Sequence, residues 1–296
     1  MLAGSEGTLG VITQAWMRVQ PRPAHRCSAG VHFAGFARGA ECVRALSQSG
    51  LEPSNCRLID PREAALTMAG DGSHALLVLG FESTDHPVEE AMRRALEICR
   101  EHGGEAQAQA SAGEGGEDAV GSWREAFLGA PYTRDALVAI GVLAETFETA
   151  ITWERFGSFH ERVSARAEAA LREACGEGGR VTARFTHVYP DGPAVYYTAI
   201  APARRGEELE QWWQVKRAVS DELIAAGGTI THHHAVGRDH RPWYDEQRPA
   251  PFAAALAGAK AALDPRGVMN PGVLIDVDPG TADGAQDADV ASTAGR

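Results

Sequence analysis

Residues 227–247 read GGTITHHHAVGRDHRPWYDEQ, so three consecutive histidines, His232, His233 and His234, follow a glycine pair. Histidine ligates metals, titrates near neutral pH and can donate, accept or move a proton. The triplet therefore reads as a metal site, a proton-handling site or polar surface filler. In an extended backbone His232 and His234 share a face and His233 points away. Three imidazoles then do not converge on one small ion from a regular strand. A metal site also needs a further ligand or water, and no second cluster of histidine, cysteine and acid has evident ligand spacing, so no metal is assigned. Filler explains any one of these histidines more easily than three in a row. The nearby Arg238, His240 and Arg241 read as solvated charges flanking a helix.

A second stretch, GSEGTLGVIT at residues 4–13, places Gly4, Gly7 and Gly10 where bare backbone can approach an anion or a planar ring. It is neither a G-x-G-x-x-G motif nor a phosphate loop with its lysine. On spacing alone it is a glycine-rich turn ahead of a strand. On residue type alone, Tyr196 and Tyr197 fill a strand face, and Arg57 within CRLID is a surface or salt-bridged residue.

These residues need a scaffold. Alternation and β-branched content predict strands over 10–21, 29–36, 54–61, 73–82 and 135–149, with a further short one over 105–110. Helical spacing with glycine stops predicts helices over 37–50, 87–104, 152–179, 206–228 and 252–265, and a short one over 121–128. RVTARFTHVYPDGPAVYYTAIAP is a β-hairpin around Pro-Asp-Gly. Residues 111–119 read as a loop, and 277–296, without an apolar pattern, as a disordered tail. This mixture implies an α+β fold, an antiparallel sheet covered on one face by helices.

With 296 residues, 44% of them hydrophobic, the chain can bury a real core. A net charge of −12 argues against nucleic-acid binding. Five dispersed cysteines read as reduced thiols in a cytoplasmic protein. No run of about 18 apolar residues predicts a membrane span. The first residues do not read as a signal peptide. A strand or helix ordinarily leads into a loop like 4–13, so the chain is expected to be the later part of a longer architecture.

GSEGTLGVIT near the start and ALDPRGVMNPGVLI at 262–275 resemble, in that order, the flavin-contacting segment and the closing motif of FAD-linked oxidases of the vanillyl-alcohol oxidase type. Within that superfamily the chain resembles the alkyldihydroxyacetonephosphate synthase branch. CRLIDP (56–61), YTRD (132–135), ETFETAITWER (145–155), YPDGPAVYY (189–197) and THHHAVGRDHRPW (231–243) carry that likeness. PDGPAVYY and HHHAVG stand where lactate and glycolate oxidases of the superfamily have GDGN-x-H and EHG, which favours the synthase-like branch.

The resemblance implies an FAD cofactor contacted by Glu6, Gly7, Thr8, Leu9, Gly10, Val11 and Ile12. It implies that 1–20 ends an FAD-binding domain, that 21–226 is a substrate-binding cap, and that 227–276 carries an active-site segment back to the FAD domain. It implies a catalytic proton carrier in Tyr196, active-site histidines in 232–234, a supporting Arg57 and a phosphate-binding Arg134; Glu148 and Trp153 receive no role. The implied reaction exchanges the acyl group of acyl-dihydroxyacetone phosphate for a fatty alcohol through a flavin N5 adduct, with no net redox change. The alternative is an FAD-linked oxidase or dehydrogenase of a 2-hydroxy acid or alcohol. A lipid-phosphate substrate, a fatty alcohol, peripheral membrane contact and a homodimer are the partner expectations.

Overall fold

The computed structural model describes residues 2–106 and 119–276. They fall into two compact units, a larger one of residues 20–232 and a smaller one built from the segments up to residue 19 and from 233 onward.

The larger unit holds β1 (His25–Phe33), α1 (Phe36–Ser47), β2 (Asn55–Ile59), α2 (Pro61–Leu66), β3 (Ala75–Ser83), α3 (Glu89–Glu101), β4 (Glu105–Ala106), α4 (Ala119–Ala139), β5 (Val142–Ala150), α5 (Trp153–Cys175), β6 (Arg180–Val188), β7 (Pro193–Pro202) and α6 (Glu208–Ala225). The strands form one seven-stranded antiparallel sheet in the order β4-β1-β3-β2-β6-β7-β5. The α+β architecture expected from the sequence is present.

Period-two alternation divides the two faces. Val31, Phe33, Leu77, Leu79, Leu58, Ala183, Phe185, Tyr197 and Phe147 point into the main core. Helix α5 meets them with Phe156, Phe159, Val163, Ala167, Ala170 and Ala174, a stripe at three- and four-residue spacing. On the other face a small cluster of Ile59, Leu76 and Val78 packs with Ala64 and Ala69.

Within the main core, His160 of α5 stacks on Phe156 with ring centroids 5.5 Å apart and meets the Tyr197 hydroxyl at 3.0 Å. Burial pulls its pKa down to about 4. Between pH 4 and 6.5 the unfolded chain binds a proton here that the native state refuses, so stability rises with pH in that window. The His160 share of stability is complete above pH 6.5 and falls by roughly 3 kcal/mol on acidification to pH 4. Urea unfolding of the wild type and of His160→Gln across that range checks this, the difference in stability between the two changing by that amount.

The hairpin turn explains one glycine. Tyr189 and Gly192 close it with paired backbone hydrogen bonds of 3.0 and 3.3 Å. A Cβ on Gly192 would lie 2.0 Å from the Ile151 carbonyl oxygen, which is backbone and cannot swing away. Gly192→Ala is expected to cost about 1–3 kcal/mol through forced displacement of the turn, read as a lower urea midpoint.

Three elements differ from the sequence reading. Residues 135–139 continue α4, which runs from 119 and breaks at Gly141 (φ 86°), so β5 begins only at Val142. Residues 61–66 form α2, because Asp60 caps it by accepting the Glu63 amide and Pro61 suits a first turn. Residues 10–21 are not in any strand among the described residues. The loop expected over 111–118, most of the strand expected over 105–110, and the tail from 277 lie outside the described residues.

In the smaller unit, α7 (Arg241–Gln247) and α8 (Ala250–Leu263) accompany a core of Leu9, Val236, Leu256, Val273, Leu274 and Ile275. Arg241 is not a solvated flanking charge, because it opens α7 and pairs with Asp245 at 2.9 Å and Asp276 at 3.0 Å. No described helix is long and apolar enough to cross a membrane.

Candidate active site

Strand register builds the site in the larger unit. Tyr196 lies opposite Arg184 on one side and Glu148 on the other, so these three form a row across β6, β7 and β5. Their neighbours Phe185, Tyr197 and Phe147 belong to the helix-covered core, which puts the row on the opposite face. The Arg184 guanidinium carbon sits 3.9 Å from the centre of the Tyr196 ring. Its charge is anchored by the buried Glu63 of α2, which also accepts a 2.7 Å hydrogen bond from Thr182. Asp60 fixes Glu63 in turn: its carboxylate accepts the Glu63 and Ala183 amides, both at 2.6 Å, and burial raises its pKa to about 6.

A bulge in β6 adds a further group. Phe185 opposes Val195 and His187 opposes Ala194, so Thr186 is the extra residue. The extra residue turns His187 onto the Tyr196 face, where simple alternation would have sent it into the core. Thr186 uses its hydroxyl to hold a Glu148 oxygen, and Glu148 is only 1% exposed.

His232 reaches the same place from α6. Gly227 (φ 81°) and Gly228 end that helix, and a Cβ on Gly228 would meet Phe159 at 2.6 Å. The chain then docks on the end of β5: Thr229 accepts from the Ala150 amide at 2.9 Å, and its carbonyl accepts from the Thr149 hydroxyl at 2.6 Å. His232 consequently has Nδ1 3.9 Å from Glu148 and Nε2 3.3 Å from the Tyr189 hydroxyl. The histidine run is a series of bends, so the face argument for an extended triplet does not apply. His233, exposed, and His234, half-buried, open the smaller unit.

Arg57 and His187 both line a hollow of about 880 Å³ in the larger unit, together with Asn55, Cys56, Thr186 and Leu128. Burial and then the Arg184 charge pull the Arg57 pKa below its ordinary value. Burial pushes the Cys56 thiol up to about 12, so it is no nucleophile at neutral pH. Arg134 sits on the exposed surface of α4, 3.9 Å from Asp135, and is not among the residues lining the hollow.

The two terminal motifs meet inside the smaller unit. Asn270 donates to the Glu6 carbonyl, and the Glu6 carboxylate accepts the Val236 and Gly237 amides at 2.8 and 2.9 Å. Buried Lys260 donates to the Thr8 carbonyl, to Asp264 and to the Met269 carbonyl at 2.6–2.8 Å. Its hydrogen bond holds the Asp264 carboxyl down at about 2. Thr8 and Leu9 are buried. The side chains of Glu6, Thr8 and Leu9 thus shape the loop, while Val11 and Ile12 beyond Gly10 are exposed. An open glycine backbone followed by an exposed apolar segment suits contact with a flat ring.

Sequence reading alone missed His187, Arg184 and Glu63, and it left Glu148 without a role. Counting back from the Pro-Asp-Gly turn places His187 opposite Ala194 but Phe185 opposite Tyr196; Arg184 comes opposite Tyr196 only through the bulge at Thr186, which has no sequence mark.

The fold and these motifs define an α+β domain of the flavin-linked oxidase type. The profile of the family "FAD linked oxidases, C-terminal domain" matches residues 22–274: the chain belongs to this family, and its cofactor is FAD. It is 30% identical over 302 residues to the alkyldihydroxyacetonephosphate synthase of Caenorhabditis elegans, covering 94% of this chain and 50% of that protein. It is 24% identical to the glycolate oxidase subunit GlcD of Bacillus subtilis, covering 94% of this chain and 57% of that protein. A solved alkyldihydroxyacetonephosphate synthase structure shares the fold with a TM-score of 0.68 at 20% identity, over 90% of this chain and 48% of the other. The chain spans about half the length of these curated relatives.

Proposed function

We propose that the FAD-loaded polypeptide containing this chain replaces the acyl group of acyl-dihydroxyacetone phosphate with a fatty alcohol. The observation that carries the reading is Tyr196, a phenol on the sheet face away from the main core, with a guanidinium against its ring and Glu148 beside it in register, the carboxylate that His232 faces. Similarity to the alkyldihydroxyacetonephosphate synthases supports the choice of substrate.

Residues 6–12 would hold the FAD, largely through backbone. FAD, when bound, supplies an electron-accepting ring for activation of the substrate carbon. Tyr196 Oη, in its phenolate form, takes a proton from the carbon bearing the ester and later returns it. His232, buttressed by Glu148, orients substrate oxygens by hydrogen bonding. Arg57, lining the hollow, takes the phosphate. Guanidinium groups suit phosphate because they stay charged and bind it in bidentate fashion.

The test offers acyl-dihydroxyacetone phosphate with labelled hexadecanol, and separately a series of 2-hydroxy acids with a redox dye. Labelled ether without dye bleaching supports the proposal. Dye bleaching by a 2-hydroxy acid without ether formation would replace it with the dehydrogenase reading, which the likeness to the glycolate oxidase subunit favours.

A further inference from the structure

We propose that Cys42 and Cys99 form an oxidative modification site, which hydrogen peroxide converts into a disulfide tying α1 to α3. The two residues are 57 apart in sequence, yet their sulfurs stand 3.6 Å from each other. Both are free thiols in the main core, at 0% and 1% exposure. A disulfide has its sulfurs about 2.05 Å apart, so the pair must close by about 1.5 Å. Modest rotation of both side chains about χ1 supplies that approach.

The backbone on either side is held in place. Helix α1 lies close on β2, where a Cβ on Gly39 would meet the Leu58 side chain at 2.5 Å. At the end of α3 the Gly104 amide donates to the Cys99 carbonyl at 2.8 Å. A Cβ on Gly104 would meet Phe33 and Val31 of β1 at 2.8 Å. Both helices are thus pressed onto the sheet, and the two sulfurs face each other before any bond forms.

The two thiols are chemically unequal. The Cys42 thiol donates toward the Cys99 sulfur. That hydrogen bond and the Arg100 charge outweigh burial and lower the Cys99 pKa, while the same contact and burial raise that of Cys42. Cys99 is therefore the attacking sulfur, since the thiolate is the nucleophile. It attacks one peroxide oxygen, the O–O bond breaks, hydroxide leaves and a sulfenic acid forms. The Cys42 sulfur then attacks the Cys99 sulfur and displaces a second hydroxide. One S–S bond replaces two S–H bonds, and the two thiol protons leave with the hydroxides as water. The thiols lose two electrons and the peroxide gains them.

The hollow gives a small oxidant its approach. Cys56 lines it while packing against the same core, and so does Leu46, one helical turn beyond Cys42. Leu46, Ser47 and Gln48, at the end of α1, form part of its wall, so a cross-link on α1 fixes that wall. Oxidation of the pair is independent of the alkyl-transfer reading and is tested without turnover.

The test uses the full chain, purified under reductant and then exposed to hydrogen peroxide. Remaining thiols are alkylated, and peptides are mapped with and without dithiothreitol. A peptide linking Cys42 to Cys99 is expected, and dithiothreitol should release it. The peroxide-treated chain is expected to unfold about 5–10 °C higher before dithiothreitol than after it, because the bond joins residues 57 apart. Cys99→Ala should show neither the linked peptide nor that difference. If Cys99→Ala fails to fold, the map of the wild type decides by itself. Peroxide that leaves both thiols open to alkylation, or that carries Cys99 to the sulfinic acid without a linked peptide, would overturn the proposal. So would a link from either residue to Cys56 in place of the expected one.

Discussion

Replacing Tyr196 with phenylalanine is expected to lower the alkyl-exchange kcat of the FAD-loaded polypeptide by about 10²–10⁴-fold, the usual contribution of a positioned proton carrier. The substitution removes one oxygen and little else. The ring remains for Arg184 to lie against, and the register with Glu148 is set by backbone. FAD content, KM and thermal midpoint should therefore stay close to wild type. The adjacent Tyr197→Phe is the control. That hydroxyl points into the core and bonds His160 at 3.0 Å, and burial pushes its pKa well above the ordinary phenol value. Losing it should cost about 1 kcal/mol of stability and leave kcat alone. A Tyr196→Phe enzyme within about threefold of wild type in kcat would remove the phenol from the proposed chemistry.

The contrast between adjacent tyrosines shows where sequence reasoning succeeds. Strand alternation assigns 196 and 197 to opposite faces, and a hairpin centred on Pro-Asp-Gly locates both. Residue types alone do not say which face is the core; the packing of Phe147, Phe185 and α5 decides that. The apolar run at 137–140 reads as strand because buried helix and buried strand look alike over four residues. Gly141 is the break that separates them. Asp60-Pro61 is a helix-start signal that a strand ending in proline conceals. Arg184 was hidden for a different reason. It comes opposite Tyr196 only because Thr186 is an extra residue, and a bulge is a property of two strands in register. The Lys260 contacts joining Thr8 to Met269 bridge more than 250 residues of sequence, yet each half was already visible as a motif.

Lys216→Met is expected to destabilise the larger unit by about 3–5 kcal/mol, the cost of leaving a buried carboxylate without its cation. Lys216 Nζ lies 2.9 Å from Glu145 Oε1, and both residues are buried between α6 and β5. Trp212 donates its indole hydrogen to the other Glu145 oxygen, so one bond survives the change while the compensating charge does not. Urea unfolding followed by circular dichroism measures the loss, and a cost below about 1 kcal/mol would show that water or another group satisfies Glu145. Replacing both partners, Lys216→Met with Glu145→Leu, should recover most of the stability, because an apolar pair of similar volume carries no desolvation penalty. The pair also bears on the site. Helix α6 runs into Gly227–Gly228 and the Thr229 dock that carries His232 to Glu148. Loosening α6 from β5 frees that segment in the single variant, and the apolar double variant should hold it again.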